Sequence, residues 1–535
     1  MKIWAWRISY TTLTAFFLLG LTSTSVQAKS AEDMELRIGV VQRFGNEKKD
    51  QLWLEPVEGD NLRLNFKSNG KEQTIVTANP IKLEVNMMTL SETMIDERVV
   101  LGTFRTFETA EDSAIKWREQ GIEVEIAQPE RWQVWAKREV YNTPLLRRLL
   151  LDNVKKSGQK TAYVKSKVTN SIPRVSWVKD NIRYNRIHIK ISSGKNLIRV
   201  KKSQNSRRGR VYPGDLQIQP NAYGSYTLVN EVPLEQYLRG VVPYEIGSKS
   251  PAAALETQAI IARTYALNNL RRFAVDNYQL CADTHCQVYF GITGATPTTD
   301  KAIAATRGMV LTYENELVDT LYSSTTGGVT ASFTDVWNGK DRPYLKPIID
   351  APSQIWNLSG QNLSDEDNFQ RFISLEKGFN ESEQKWFRWR RETKIEDITK
   401  GLQKFLKVKN SPFAKFKVVK DIQVVERSTG GRILKLAVAT DIGTFHLYKD
   451  EVRSAFAAPI STLFYLQRLN KGKPGTWGYA FIGGGFGHGV GLSQVGAQNL
   501  ARSGWNNAKI LEFYYPETKL QKLTPQLRAS IAGES

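Results

Sequence analysis

The sequence predicts a multi-domain α+β protein: β-rich N-terminal modules, then a larger mixed α/β domain carrying a helical insertion. Three observations carry that prediction. At 535 residues the chain exceeds what one core organises, which points to two or three domains. Its early part alternates apolar and polar residues, as in "RIGVVQRF", "LWLEPV" and "LRLNF", the period of half-buried strands. Beyond residue 225, a well-specified helix, glycine-rich loops and strand-like runs follow one another.

Taken in order, residues 1–28 read as a secretory signal. Lys2 and Arg7 precede the apolar run Ala15–Leu21, and Val26-Gln27-Ala28 offers small residues for cleavage. That run is far short of a membrane span, an uncleaved anchor being the alternative, and no later segment is apolar enough to cross. The mature chain is therefore expected to be exported, to the periplasm, the cell wall or beyond. Residues 34–88 read as a small β module. Within 97–138, a strand ending near Phe104, a helix capped around Thr106–Thr109 and stopped by Gly121, and two more strands make a β-α-β-β unit. A helix and linker follow at 145–160, then a β-rich segment at 161–224 that leads into the main domain, 225–523. Its polar, helical insertion, 352–415, carries Trp386 and Trp389, either local core or a sugar-stacking platform.

A net charge of +20 would suggest nucleic acid as the partner of an intracellular protein. Export redirects that expectation away from nucleic acid and toward anionic wall polymers, a membrane surface or peptidoglycan carboxylates. The densest basic stretch holds Lys195, Lys201, Lys202, Arg207, Arg208 and Arg210. The only two cysteines, Cys281 and Cys286, flank His285. In an oxidising compartment such a pair can form a disulfide, and with the histidine between them a metal site is also open.

Candidate chemistry begins with Glu245, in "VVPYEIGSKSPAAALETQAIIARTYALNN". It sits between an extended Val-Val-Pro and a helix that Ser250 can cap and Pro251 can open. Apolar neighbours raise a carboxyl pKa by desolvation, whereas the helix N-terminus lowers it, and the two oppose each other here. Leu255, Ala259, Ala262 and Ala266 fall on one helix face, and of the polar Gln258, Arg263 and Tyr265 at least one can point toward the acid. Glu235, in "PLEQYLRG", reads as an exposed helical residue. In "GGGFGHGVGLSQVGAQ", six glycines surround His488 without G-x-G-x-x-G spacing or a following lysine, which excludes nucleotide loops. His488 reads as a site contact in preference to a bonder of the loop backbone. Neither H-E-x-x-H nor G-x-S-x-G occurs, and "LYSSTTGGVT" reads as a substrate-contacting turn.

Five stretches in order, "EVPLEQYLRGVVPYEI", "LETQAIIARTYAL", "CADTHCQVYFG", "LYSSTTGGVT" and "GGGFGHGVGLSQVGAQNLARSGW", resemble the signature segments of the SpoIID/LytB family. The resemblance implies a peptidoglycan lytic transglycosylase with Glu245 as its single acid/base and glycan strands as substrate. It also implies, as the alternative, a non-catalytic enhancer that binds glycan or a separate cell-wall amidase. By the same resemblance Arg263, Tyr265, Ser324, Thr325, His488 and Gln494 are candidate sugar contacts. Some members bind zinc near the cysteine pair, which points to Cys281, Cys286 and His285; the proposed chemistry itself requires no cofactor. The 97–138 unit resembles a sporulation-related repeat (SPOR) module in its Leu-Gly-Thr-Phe opening and closing Trp-Gln-Val-Trp.

Overall fold

The computed structural model describes residues 34–206, 209–472 and 475–534; the expected signal segment, and Arg207 and Arg208 of the basic stretch, lie outside them. Alternating burial makes Glu35–Phe44 a strand with Leu36, Ile38 and Phe44 inward. It pairs antiparallel with Tyr226–Pro233 and parallel with Leu280–Cys281. It thus belongs to a seven-stranded sheet that continues through Asp215–Pro220, Ile189–Ser193, Leu62–Ser68 and Lys71–Thr77. The N-terminal strands therefore share a sheet with the start of the main domain.

A second sheet is organised by one 24-residue strand, Ile81–Phe104. Its first part pairs with Gln51–Pro56 and its end with Trp132–Ala136, while Tyr163–Lys179 runs along most of it. On its far end sits the β-α-β-β unit, as its punctuation predicts. The helix is Phe107–Glu119, with Thr106 at its N-cap and Gly121 at φ +76° after it. Left-handed backbone at that position suits glycine. The helix buries Phe107, Ala110, Ala114 and Trp117 against Trp132 and Val134. The helix expected at 145–160 is Pro144–Lys156, capped by Thr143, whose hydroxyl accepts the Leu146 N–H at 3.2 Å.

The Ala252–Asn268 helix is the axis of the main core, with every residue from Thr257 to Leu267 buried. A helix enclosed on all faces has no polar side to offer solvent; Arg263 finds a partner inside in Glu235, whereas the buried Gln258 amide has none among the described residues. Ser250 does not cap it. Pro251 holds the N-cap position, and the Ser250 hydroxyl donates to the Ile246 carbonyl at 2.7 Å. Val-Val-Pro is not extended either: Val242 is right-handed helical and Pro243–Gly247 forms a π-turn. Burial of Val241 and Val242 in the core overrides the bias of a residue before proline toward extended backbone.

Residues 389–481 enclose a core of their own, in which the Ile395–Val408 helix packs Leu402 and Phe405 among Ile433, Leu436, Val438 and Phe481. The 352–415 segment holds helices, as expected, and in addition a strand, Arg388–Lys394. That strand joins Gly478–Gly484 and Phe464–Leu469 in a sheet and delivers the glycine-rich loop. Among the described residues, no helix is long and apolar enough to cross a membrane.

Candidate active site

The π-turn lifts Glu245 out of the core into a cleft of about 640 Å³. One carboxylate oxygen accepts the Val288 N–H at 2.6 Å, and the other accepts the Gln494 amide at 3.4 Å. Burial pushes the Glu245 carboxyl above the usual range, while Val288, Gln494 and the Tyr322 hydroxyl pull it back. Desolvation thus wins the contest between opposing effects left open by the residues alone. Tyr322, partly buried on the cleft wall, has its phenol kept neutral by desolvation and by Glu245, and its oxygen accepts from Gln287 at 3.1 Å.

Three segments converge to hold that carboxylate. The loop after Leu280 is tied back by a Cys281–Cys286 disulfide, with Cα atoms 5.6 Å apart, and Gln287 accepts from the Tyr237 hydroxyl at 3.1 Å. Val288 is thereby fixed with its N–H on the acid. Disulfide sulfurs bonded to one another are not thiolates and cannot ligate as such. This corrects the zinc alternative for Cys281, His285 and Cys286, and no group of three or more potential ligands occurs among the described residues. His285 and Cys286 instead line the cleft.

The second segment is the Ser/Thr turn and the third the glycine-rich loop, which pair as Tyr322–Leu492 and Ser323–Ser493. Their approach explains the glycines. At Gly491 a Cβ would lie 2.1 Å from the Leu321 carbonyl, and at Gly489 it would lie 2.1 Å from the Arg432 guanidinium. Both have left-handed φ, +70° and +77°. Beneath the turn, buried Glu381 accepts the N–H groups of Thr326, Gly327 and Gly328 at 2.6, 2.8 and 3.0 Å.

Of the expected contacts, Tyr265, Ser324, His488 and Gln494 line the cleft with Glu245. His488 does both things considered for it. It lines the cleft beside Trp337, and its Nδ1 accepts the Val490 N–H at 3.0 Å. Burial, then Arg453 and Arg432, push its pKa down to about 3, so the imidazole is neutral. Arg263 is a correction: fully buried away from the cleft, it grips Glu235 through two 2.8 Å bonds. Glu235 is correspondingly buried, not exposed. Thr325 is also removed from the list of contacts, because it is 2% exposed and bonds through its backbone to Phe486.

Trp389 is core, its indole N–H donating to Gly485 at 2.9 Å. Trp386 lies against the exposed Phe486 of the cleft rim, ring centroids 5.7 Å apart. Sequence reasoning missed Tyr322, although it stands inside "LYSSTTGGVT". It also missed the wall supplied by the β-α-β-β unit through Arg105, Glu108, Arg131 and Trp132.

Residues 222–313 match the family model of stage II sporulation protein, SpoIID, and residues 331–491 match a domain of unknown function, DUF8618. Glu245 and the disulfide fall in the first match, and His488 in the second. The chain is 29% identical over 407 residues to the amidase enhancer of Bacillus subtilis (strain 168), covering 67% of this chain and 53% of that protein. It thus spans about half that relative's length. It is 24% identical over 302 residues to the stage II sporulation protein D of Bacillus amyloliquefaciens, 54% of this chain and 74% of that one. To the stage II sporulation protein D of Bacillus subtilis (strain 168) it is 26% identical over 317 residues, 55% and 76% of the two chains. The chain thus carries a SpoIID domain at residues 222–313 and is similar to an amidase enhancer and to two stage II sporulation D proteins.

Proposed function

We propose that this chain is an exported lytic transglycosylase that cleaves peptidoglycan glycan strands with Glu245 as its only acid/base. The observation that carries the reading is the setting of that carboxyl: burial raises its pKa, while the Val288 N–H and the Gln494 amide donate to its two oxygens. A group that must give and recover one proton benefits from both. Protonated Glu245 donates to the glycosidic oxygen as the C1–O bond breaks. The C6 hydroxyl of the same sugar then attacks C1 and returns its proton to the carboxylate, closing a 1,6-anhydro ring without consuming water.

Ordinary glycosidases need a second carboxylate to attack the sugar or activate water. Of the other carboxylates on the cleft wall, Glu108 is paired with Arg272, and Asp450 with Arg105 and Arg453. Glu130 is exposed on the β-α-β-β unit. Glu256 accepts from Asn507, and Asp283 from the His285 N–H; neither lines the cleft. Partly exposed Phe486, on the cleft wall, suits the face of a sugar ring.

The test is digestion of purified peptidoglycan, with and without stem peptides, by the chain and its Glu245→Gln variant. Anhydro-ended products by mass spectrometry, lost at least a hundredfold in the variant, are expected; equal release by both refutes the assignment. The length of the similarity to an amidase enhancer supports a second reading, in which the cleft binds glycan without cutting it and stimulates a separate amidase. In that case anhydro products are absent and amidase turnover rises on addition of either protein.

A further inference from the structure

A second cavity, of about 670 Å³, lies between the β-α-β-β unit and a wall that includes Phe405, Lys409, Tyr448 and Glu451. Arg105, Thr106, Arg131 and Asp450 line both it and the Glu245 cleft, so the two spaces meet. The saddle between them is an ion pair joining two parts of the chain: Arg105 Nε lies 2.7 Å from Asp450, and Arg105 also donates to Ser454 at 2.7 Å. Arg453 holds the same aspartate at 2.9 Å. None of these groups is free for a ligand.

Arg131 differs. Its guanidinium lies 5.6 Å from the Phe405 ring and makes no hydrogen bond or ion pair with any described residue. Glu451, the opposing charge nearest to it in effect, is held by Lys409. A partly buried guanidinium without acceptors leaves hydrogen-bonding capacity unused. It also presents a planar fork suited to a carboxylate. Tyr448 lines the same cavity and is half exposed, a ring face available for stacking. The remaining cations on this wall are engaged: Lys116 with Asp112, and Lys449 with the Trp337 carbonyl and Asn338.

We infer that this second cavity is a distal subsite for the same polymer, where Arg131 takes a carboxylate of a muramic acid residue and Tyr448 takes a sugar face. The inference rests on the glycan-binding reading of the Glu245 cleft. It adds that the β-α-β-β unit selects acidic glycan over neutral glycan. The carboxylate comes either from the lactyl ether of the sugar or from an attached stem peptide.

The experiment uses the full chain carrying Glu245→Gln, so that strands are bound and not consumed. Affinity is measured for peptide-free glycan strands, for peptide-bearing strands and for neutral N-acetylglucosamine oligomers, with and without Arg131→Gln. Loss of a charge-assisted bond predicts roughly tenfold weaker binding of carboxylate-bearing strands, with neutral oligomers unchanged. A loss on both acidic ligands identifies the lactyl carboxylate, and a loss on peptide-bearing strands alone identifies the stem peptide. In the same background Tyr448→Ala, at an exposed position, weakens all three ligands. Unchanged binding of both acidic ligands by Arg131→Gln overturns the inference. So does an equal loss on neutral oligomers, or failure of the parent to bind any acidic strand. Release of anhydro ends by the unsubstituted chain is scored separately and decides the catalytic reading on its own.

Discussion

Opening the Cys281–Cys286 disulfide, by Cys281→Ser with Cys286→Ser, perturbs the acid without touching it. The bridge closes a loop with a sequence separation of 5, and for so short a loop the chain-entropy account gives about 2 kcal/mol of lost stability. The larger consequence is local. Val288, two residues past Cys286, donates the 2.6 Å hydrogen bond to Glu245, and a hydrogen bond to a charged group is worth about 1.5–3 kcal/mol. Because that bond favours the carboxylate, its loss raises an already raised pKa further. Glu245 must be protonated to begin the reaction, so activity falls as pH rises through its pKa. That falling limb therefore moves to higher pH in the variant, while the maximal rate drops because the acid is less well held. The assay is a pH–rate profile on peptidoglycan beside a thermal melt. A lower melting temperature with an unmoved limb and undiminished rate would refute the idea that this loop positions the acid.

Three further outcomes follow from particular contacts. Arg263→Met leaves Glu235 buried without its partner and should cost about 3–5 kcal/mol, read by thermal unfolding, with the double variant Arg263→Met, Glu235→Leu recovering much of it. Gly489→Ala, whose Cβ would meet Arg432, should destabilise far more than Gly504→Ala, which has left-handed backbone but no neighbour within 4 Å, where the cost is about 1–2 kcal/mol. His488, with its pKa pushed down to about 3, binds fewer protons folded than unfolded, so its contribution to stability is lost as pH falls from about 6.5 through 3. His488→Asn should flatten that part of the stability profile, and the activity profile should show no limb from His488 near neutrality.

Legibility differed by the range of the interactions involved. The Phe107–Glu119 helix was readable because its limits are local, a threonine before it and a left-handed glycine after it. Glu245 was readable because its motif and apolar neighbours are contiguous. Arg263 was misread because its partner, Glu235, lies 28 residues earlier in the chain; a polar residue on an apolar helix says that a partner exists, not which one. The cleft wall from Arg105 to Trp132 left no local signal, since its role arises only when one 24-residue strand carries the β-α-β-β unit against the main domain. Val-Val-Pro was misjudged because a dipeptide preference was outweighed by the burial of two valines.

The central claim is that Glu245 alone moves the proton and no water enters the reaction. Digestion in 18O-labelled water with mass spectrometry of the new glycan ends tests it most directly. The account predicts 1,6-anhydro ends free of label, abolished by Glu245→Gln. Label at a new reducing-end sugar would show that water attacked, and would replace the transglycosylase by a hydrolase with a second carboxylate.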